Sequence, residues 1–169
     1  NCDVTGLRPT MPATQLGARF RHLALCNANA EAGERNERTM KPKKLGLIHT
    51  SASLVPVFAA LCKEKLPNVE VFNIADDSLV KGIIAAGSLT ATISRRVAGY
   101  LESAELAGAD YILVTCSSIG PAVEAAAKLI GVPVLRVDQP MADKAVQTGK
   151  RIGVLATLRT TLEPTADLI

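Results

Sequence analysis

The sequence predicts an α/β fold: a parallel sheet between two layers of helices, followed by the start of a second unit of the same kind. Three observations predict it. From Lys43 onward, short aliphatic runs alternate with Ala-rich stretches of helical period. The runs are apolar at successive positions, as strands are when helices cover both faces of a sheet. Finally, Lys44-Leu-Gly-Leu-Ile-His-Thr50 recurs in kind 107 residues later, as Arg151-Ile-Gly-Val-Leu-Ala-Thr157. Basic residue, aliphatic, Gly, two aliphatics, any residue and Thr stand in the same order, at a spacing of about one small α/β domain.

Taken in order, Leu45–Thr50 reads as a short buried strand. Leu54–Lys65 reads as a helix closed by Pro67, and Val69–Ile74 as the second strand. Ser88–Ala107 carries apolar residues at helical spacing and ends at Gly108. Tyr111–Cys116 is the third strand. Pro121–Ile130 is a helix, with Pro suited to its first turn and Gly131 just past its end. Val132–Val137 is the fourth strand, Met141–Thr148 a helix stopped by Gly149, and Ile152–Ala156 a fifth strand. Strands alternating with helices imply crossover connections and a parallel sheet. The domains expected are therefore residues 43–150, a first α/β unit, and residues 151–169, the opening of a truncated second one. A complete protein would run on for about another 80 to 100 residues.

Residues 1–42 read differently, with Gly, Pro, Asn and Arg in no sustained period. Arginines recur there as in a transit peptide, but the stretch before Met40 has no Ser and carries Glu31, Glu34 and Glu37. Met40 reads as the natural start, and residues 1–42 as an irregular extension outside the fold.

Composition narrows the function. The chain has 169 residues, 48% of them apolar, with no Trp and a net charge of +3. Scattered basic residues and few aromatics offer nucleic acid neither a charged stripe nor stacking platforms. No apolar run approaches the ~18 residues of a membrane span. The four cysteines, Cys2, Cys26, Cys62 and Cys116, contain no CxxC pair. Free thiols in a reducing cytoplasm are expected, rather than a disulfide scaffold or a zinc site. Assembly as a homo-oligomer is left open.

In open parallel sheets, ligands bind beyond the carboxyl ends of the strands. Those ends read His49-Thr50-Ser51, Ala75-Asp76-Asp77, Thr115-Cys116-Ser117-Ser118, Asp138-Gln139 and Thr157, with Thr160 and Thr161 close behind. Hydroxyls and free loop amides suit a carboxylate or another small anion. Cys116 is the one strong nucleophile or base among them, and it precedes a short loop into a helix. A thiol beside a helix N-terminus faces a positive partial charge and open N–H groups, which favour the thiolate. The plainer role for such a residue is a small buried hydrophobe. Cys62, in mid-helix, reads as core. His49 could act as an acid or base, or orient Cys116; a hydrogen-bonded structural histidine is the other reading. Asp76-Asp77 reads as a solvated loop rather than a metal site. There is no GxGxxG after the first strand and no GxxxxGK[ST], which disfavours nucleotides.

TCSSIG after YILV resembles the first cysteine motif of the aspartate/glutamate/hydantoin racemase superfamily. IGVLATLRTT resembles its Thr-x-x-Thr strand-loop at the start of the second domain, and LGLIHTSAS sits where that family has its first strand and substrate loop. The resemblance spans residues 43–169. It implies a cofactor-independent amino-acid racemase with an Asp/Glu racemase-like fold, two similar domains facing across a cleft, and one cysteine from each. One thiolate removes the α-proton and the other thiol returns a proton to the opposite face. On this resemblance Cys116 is the first catalytic cysteine. Thr50, Ser51, Ser117, Ser118, Thr157 and Thr160 match positions that hold the carboxylate and amino groups of a small-molecule substrate. His49-Thr50 stands where glutamate racemases have Asp-Ser, and Cys-Ser-Ser where Cys-Asn-Thr is common; both departures lean away from glutamate. A single-cysteine decarboxylase or cis–trans isomerase of the same superfamily, and a non-catalytic carboxylate-binding domain, are the alternatives. Residues 1–169 alone are expected to be inactive, with half the cleft missing.

Overall fold

The computed structural model describes residues 42–169, and the reading of residues 1–42 as an extension falls almost wholly outside them. Four strands, β1 (Lys43–His49), β2 (Val69–Ala75), β3 (Tyr111–Val114) and β4 (Val134–Arg136), pair in parallel in the order β2-β1-β3-β4. The helices are α1 (Leu54–Lys65), α2 (Asp77–Ala86), α3 (Ala91–Leu106), α4 (Gly120–Ala127), α5 (Gln139–Thr148) and α6 (Arg159–Ala166). A single 3₁₀ turn, Ser117–Ile119, joins β3 to α4.

Successive strand residues point to opposite faces, so each strand serves two cores. Ile48, Ile112 and Val114, with Phe72, Ile74 and Val134, face α2, α3 and α4 in the larger core. Leu45 and Leu47, with Val69, Val71, Tyr111 and Leu113, face Phe58 and Cys62 of α1. The chain is thus the three-layer α/β domain expected. Central β1 is buried from Leu45 to His49, because it has a strand on each side and helices on both faces. Gly46 lets α3 approach it closely: an added Cβ would sit 3.0 Å from the Phe72 ring and 3.4 Å from the Ala104 methyl.

Two elements differ from the sequence reading. Helix α2 was not foreseen between Ile74 and Ser88. Asp76 caps it by accepting the Ser78 N–H, and Leu79 and Ile83, four apart, are fully buried beneath it. Gly82 in its middle weakens the local helical signal, and packing supplies the difference. The predicted fifth strand, Ile152–Ala156, is corrected: these residues are irregular, and Leu155 is 99% exposed. A strand exists only where a neighbour completes its ladder, and no described strand lies alongside this segment.

The α3 stripe Ile93, Val97, Leu101 and Ala104 anchors the larger core. Leu101→Ala is expected to cost about 2–5 kcal/mol, because a fully buried site in mid-helix relaxes poorly around the cavity. Urea unfolding should show a lower midpoint at unchanged slope.

Candidate active site

The parallel register brings all four carboxyl ends to one edge of the sheet. Past the strands, Asp76 N–H donates to His49 O, Thr115 N–H to Ile48 O, and Val137 N–H to Val114 O, at 3.0, 3.0 and 2.9 Å. The loops beginning at Thr50, Asp76, Cys116 and Asp138 therefore leave the sheet side by side.

Cys116 follows β3 in extended conformation and occupies the N-cap position of the Ser117–Ile119 turn, which runs directly into α4. Its side chain is half-buried against the larger core. It is the one described cysteine at this edge. Cys62 lies in the α1 core, where burial pushes its thiol up and keeps it protonated.

His49 does not reach towards Cys116. It is fully buried on the α1 face, tilted against Phe58 at 5.4 Å between ring centroids. Nδ1 lies 2.8 Å from Thr115 Oγ1, and Nε2 lies 3.0 Å from Asn73 Oδ1. Both ring nitrogens are thereby engaged in tying β1 to β2 and β3.

The hydroxyl-bearing residues divide into three groups. Thr50 is buried at the end of β1, and Ser51 beside it is 2.8 Å from Ser53 Oγ; Ala52 N–H donates to Asp77 at 2.7 Å, which anchors this loop to the start of α2. Ser118 is buried under α6, with its Oγ 2.8 Å from Thr161 Oγ1. Ser118 and Thr160 line one small cavity of about 200 Å³, together with Ser88, Arg159 and Glu163. The Thr160 hydroxyl is buried without a hydrogen-bond partner among the described residues. Thr157 stands apart, exposed in the irregular segment before α6.

Ser117 belongs to a third arrangement. It is half-buried ahead of Ser118 in the turn, and near it the buried carboxylate of Asp138 is paired with Arg136. Burial pushes Asp138 up, but hydrogen bonds from Arg136 and Ser117 and the Arg136 charge outweigh it and hold the carboxyl below its usual range.

A model of the Asp/Glu/Hydantoin racemase family matches residues 45–169. The chain belongs to this family. Among solved structures, the glutamate racemase from Aquifex pyrophilus aligns with a TM-score of 0.51 and 24% identity, over 74% of this chain and 51% of that one. At that identity the likeness speaks for the fold. The chain spans about half the length of that enzyme. No curated protein matches it.

Within this racemase-family domain, the sequence reading counts Asp138 and Thr161 among the strand ends without giving them a role, and passes over Arg136 and Asn73. Arg136 did leave a signal, as a charged residue inside an aliphatic strand with Asp138 two positions on, hence on the same face.

Asp76 is likewise a structural carboxylate. It accepts from Ser78 Oγ at 2.6 Å and Tyr100 Oη at 2.5 Å, and pairs with Arg96. Burial raises its pKa, but the hydrogen bonds from Ser78 and Tyr100 and the Arg96 charge bring it below the usual range. A folded value below the unfolded ~3.9 means stabilisation present above that value and lost as pH falls through the folded one. Asn caps helices as well as Asp does, so Asp76→Asn removes chiefly the charge. The variant should be less stable than wild type at neutral pH, and the difference in urea midpoints should shrink as pH falls below the unfolded value of ~3.9 and through the lower folded one.

Proposed function

We propose that this chain carries the first half of the active site of a cofactor-independent amino-acid racemase, with Cys116 as the acid–base residue on one face of the substrate. The supporting observation is Cys116 itself: a half-buried thiol beyond a central strand, at the head of a turn entering a helix, with Ser117 and Ser118 following and Thr50 and Ser51 leaving the adjacent strand. Removing an α-proton leaves a carbanion beside a carboxylate, and hydroxyl and amide donors aimed at that carboxylate stabilise the charge. The thiolate takes the proton from carbon, and a thiol on the opposite face returns one.

Cys62 cannot be that second thiol, being enclosed in the α1 core. In this reading the partner cysteine comes from a second α/β unit beginning at Arg151, and Thr157 joins Thr160 at the substrate. Reduced thiols fit a cytoplasmic enzyme. The alternative reading is a one-cysteine decarboxylase or cis–trans isomerase of the same superfamily, acting at the same carbon.

The test is deuterium incorporation at Cα when the full-length protein is incubated in D₂O with L- and D-amino acids. Exchange into both enantiomers supports racemisation. Loss of carbon dioxide from a substituted malonate, or isomerisation of an unsaturated diacid, with no Cα exchange into amino acids, would replace it with the second reading.

A further inference from the structure

We propose that the cavity beside α6 receives the far end of the substrate and selects a basic amino acid, one whose side chain is a stem of three or four carbons ending in an ammonium. For the reaction at Cα this rests on the racemase reading; the choice of side chain rests on the walls of the cavity.

The cavity lies between α6, the Gly87–Leu89 loop and the turn that Cys116 opens. At about 200 Å³ it is smaller than the pockets that hold whole drug-sized ligands, and it suits one side chain. Cys116 is not among its walls, but Ser118 is. Two positions of chain place the Ser118 Cα within about 8 Å of the Cys116 Cα. A four-carbon stem such as that of lysine covers this gap, whereas the one-carbon arm of aspartate or serine falls short. Leu89, Pro121 and Pro164 supply apolar wall along the way. Basic side chains lay their methylenes on such surface and keep the charged head at its wet edge.

The charges decide the head. Arg159, Glu163 and Asp167 stand four apart along α6 and its C-terminal cap, hence on one face, and all three line the cavity. No ion pair or side-chain hydrogen bond joins any of them to another described residue. Together they carry one net negative charge. Thr160 adds a buried hydroxyl with no partner among the described residues, a condition that buried polar groups rarely tolerate. An ammonium has three N–H donors and no acceptor. Glu163, Asp167 and the Thr160 oxygen offer it three acceptors, and its charge cancels the net negative one. A carboxylate head would gain Arg159 but meet two groups of its own sign. An apolar head would leave the Thr160 hydroxyl unpaired.

The test measures protection of Cys116 from iodoacetamide in the full-length protein, scored on its own peptide by mass spectrometry. The probes are lysine and ornithine of both hands against norleucine and norvaline, which keep the stem and lack the ammonium, with glutamate as the acidic comparison. In wild type the basic pair should protect at concentrations roughly 5- to 10-fold lower than the apolar pair, between the worth of an exposed ion pair and that of a charged hydrogen bond. Glutamate should protect least. Glu163→Gln and Asp167→Asn should each shrink the ratio, and together bring it near one. Arg159→Gln should raise it, since the one repelling charge is gone. Thr160→Val should weaken protection by lysine and leave that by norleucine unchanged. Added salt should shrink the wild-type ratio, as it does for charges near the surface. Glu163, Asp167 and Arg159 are exposed, so these variants should fold as wild type does.

Equal protection by the basic and apolar pairs in wild type, a preference for glutamate, or a basic preference that survives the Glu163→Gln, Asp167→Asn double variant overturns the assignment of this cavity. The racemase reading stands in each case if the same preparation exchanges Cα hydrogen in any amino acid. Absence of both protection and Cα exchange removes the racemase reading, and this inference with it.

Discussion

Cys116→Ala is expected to slow Cα deuterium exchange by roughly 10²- to 10⁴-fold, the span that one positioned acid–base group contributes. The fold should be little affected. The side chain is half-buried at the rim of the larger core rather than inside it, and truncating it removes a single sulfur. A small change in urea midpoint with a large loss of exchange would separate chemistry from packing. Cys116→Ser makes the sharper comparison. It keeps size and polarity, but an alkyl hydroxyl is a far weaker acid than a thiol, so its conjugate base is scarcely populated at neutral pH. Serine should therefore be nearly as inactive as alanine. Undiminished exchange in a folded Cys116→Ala protein would sink the assignment and leave Cys116 as a core residue.

The sheet was legible because its signal is local. The runs LGLIHT, VEVFNI, YILVTC and VPVLRV each carry their apolar character within a few residues, and each contains a strand, the last two shorter than the run, at Tyr111–Val114 and Val134–Arg136. Ile152–Ala156 carries the same character and is not a strand, since pairing depends on a neighbour that the run itself cannot specify. Helix α2 was hidden for the opposite reason. Its core contacts are only Leu79 and Ile83, with Gly82 between them, and its start is fixed by an Asp76 cap that looks like any polar loop residue.

The site divides in the same way. Position beyond a strand end selected Cys116, Ser117, Ser118, Thr50 and Ser51, and the structure gathers the loops that bear them. His49 met the same criterion, yet the two-residue alternation along β1 turns it to the α1 face with Leu45 and Leu47, away from Cys116. Counting alternation back from Leu47 would have shown this. The bond between Ser118 and Thr161 joins residues 43 apart, and nothing local in either segment announces it.

The Arg136–Asp138 pair gives the largest expected effect on stability. Asp138→Ala should cost about 3–5 kcal/mol at neutral pH, because it strands a buried guanidinium whose remaining partner, Glu124, is largely exposed. Replacing both partners, Arg136→Met with Asp138→Leu, should recover most of that loss, since neither charge is then left in the interior. The pH dependence follows from the lowered folded pKa of Asp138: burial alone would raise it, and Arg136 and Ser117 more than reverse that. Its stabilisation is complete above the unfolded value of ~3.9 and disappears as pH falls through the folded one. Wild type should therefore lose stability below about pH 4 more steeply than either variant. A single variant costing under about 1 kcal/mol, the ordinary worth of an exposed pair, would mean that the fold does not depend on this buried pair.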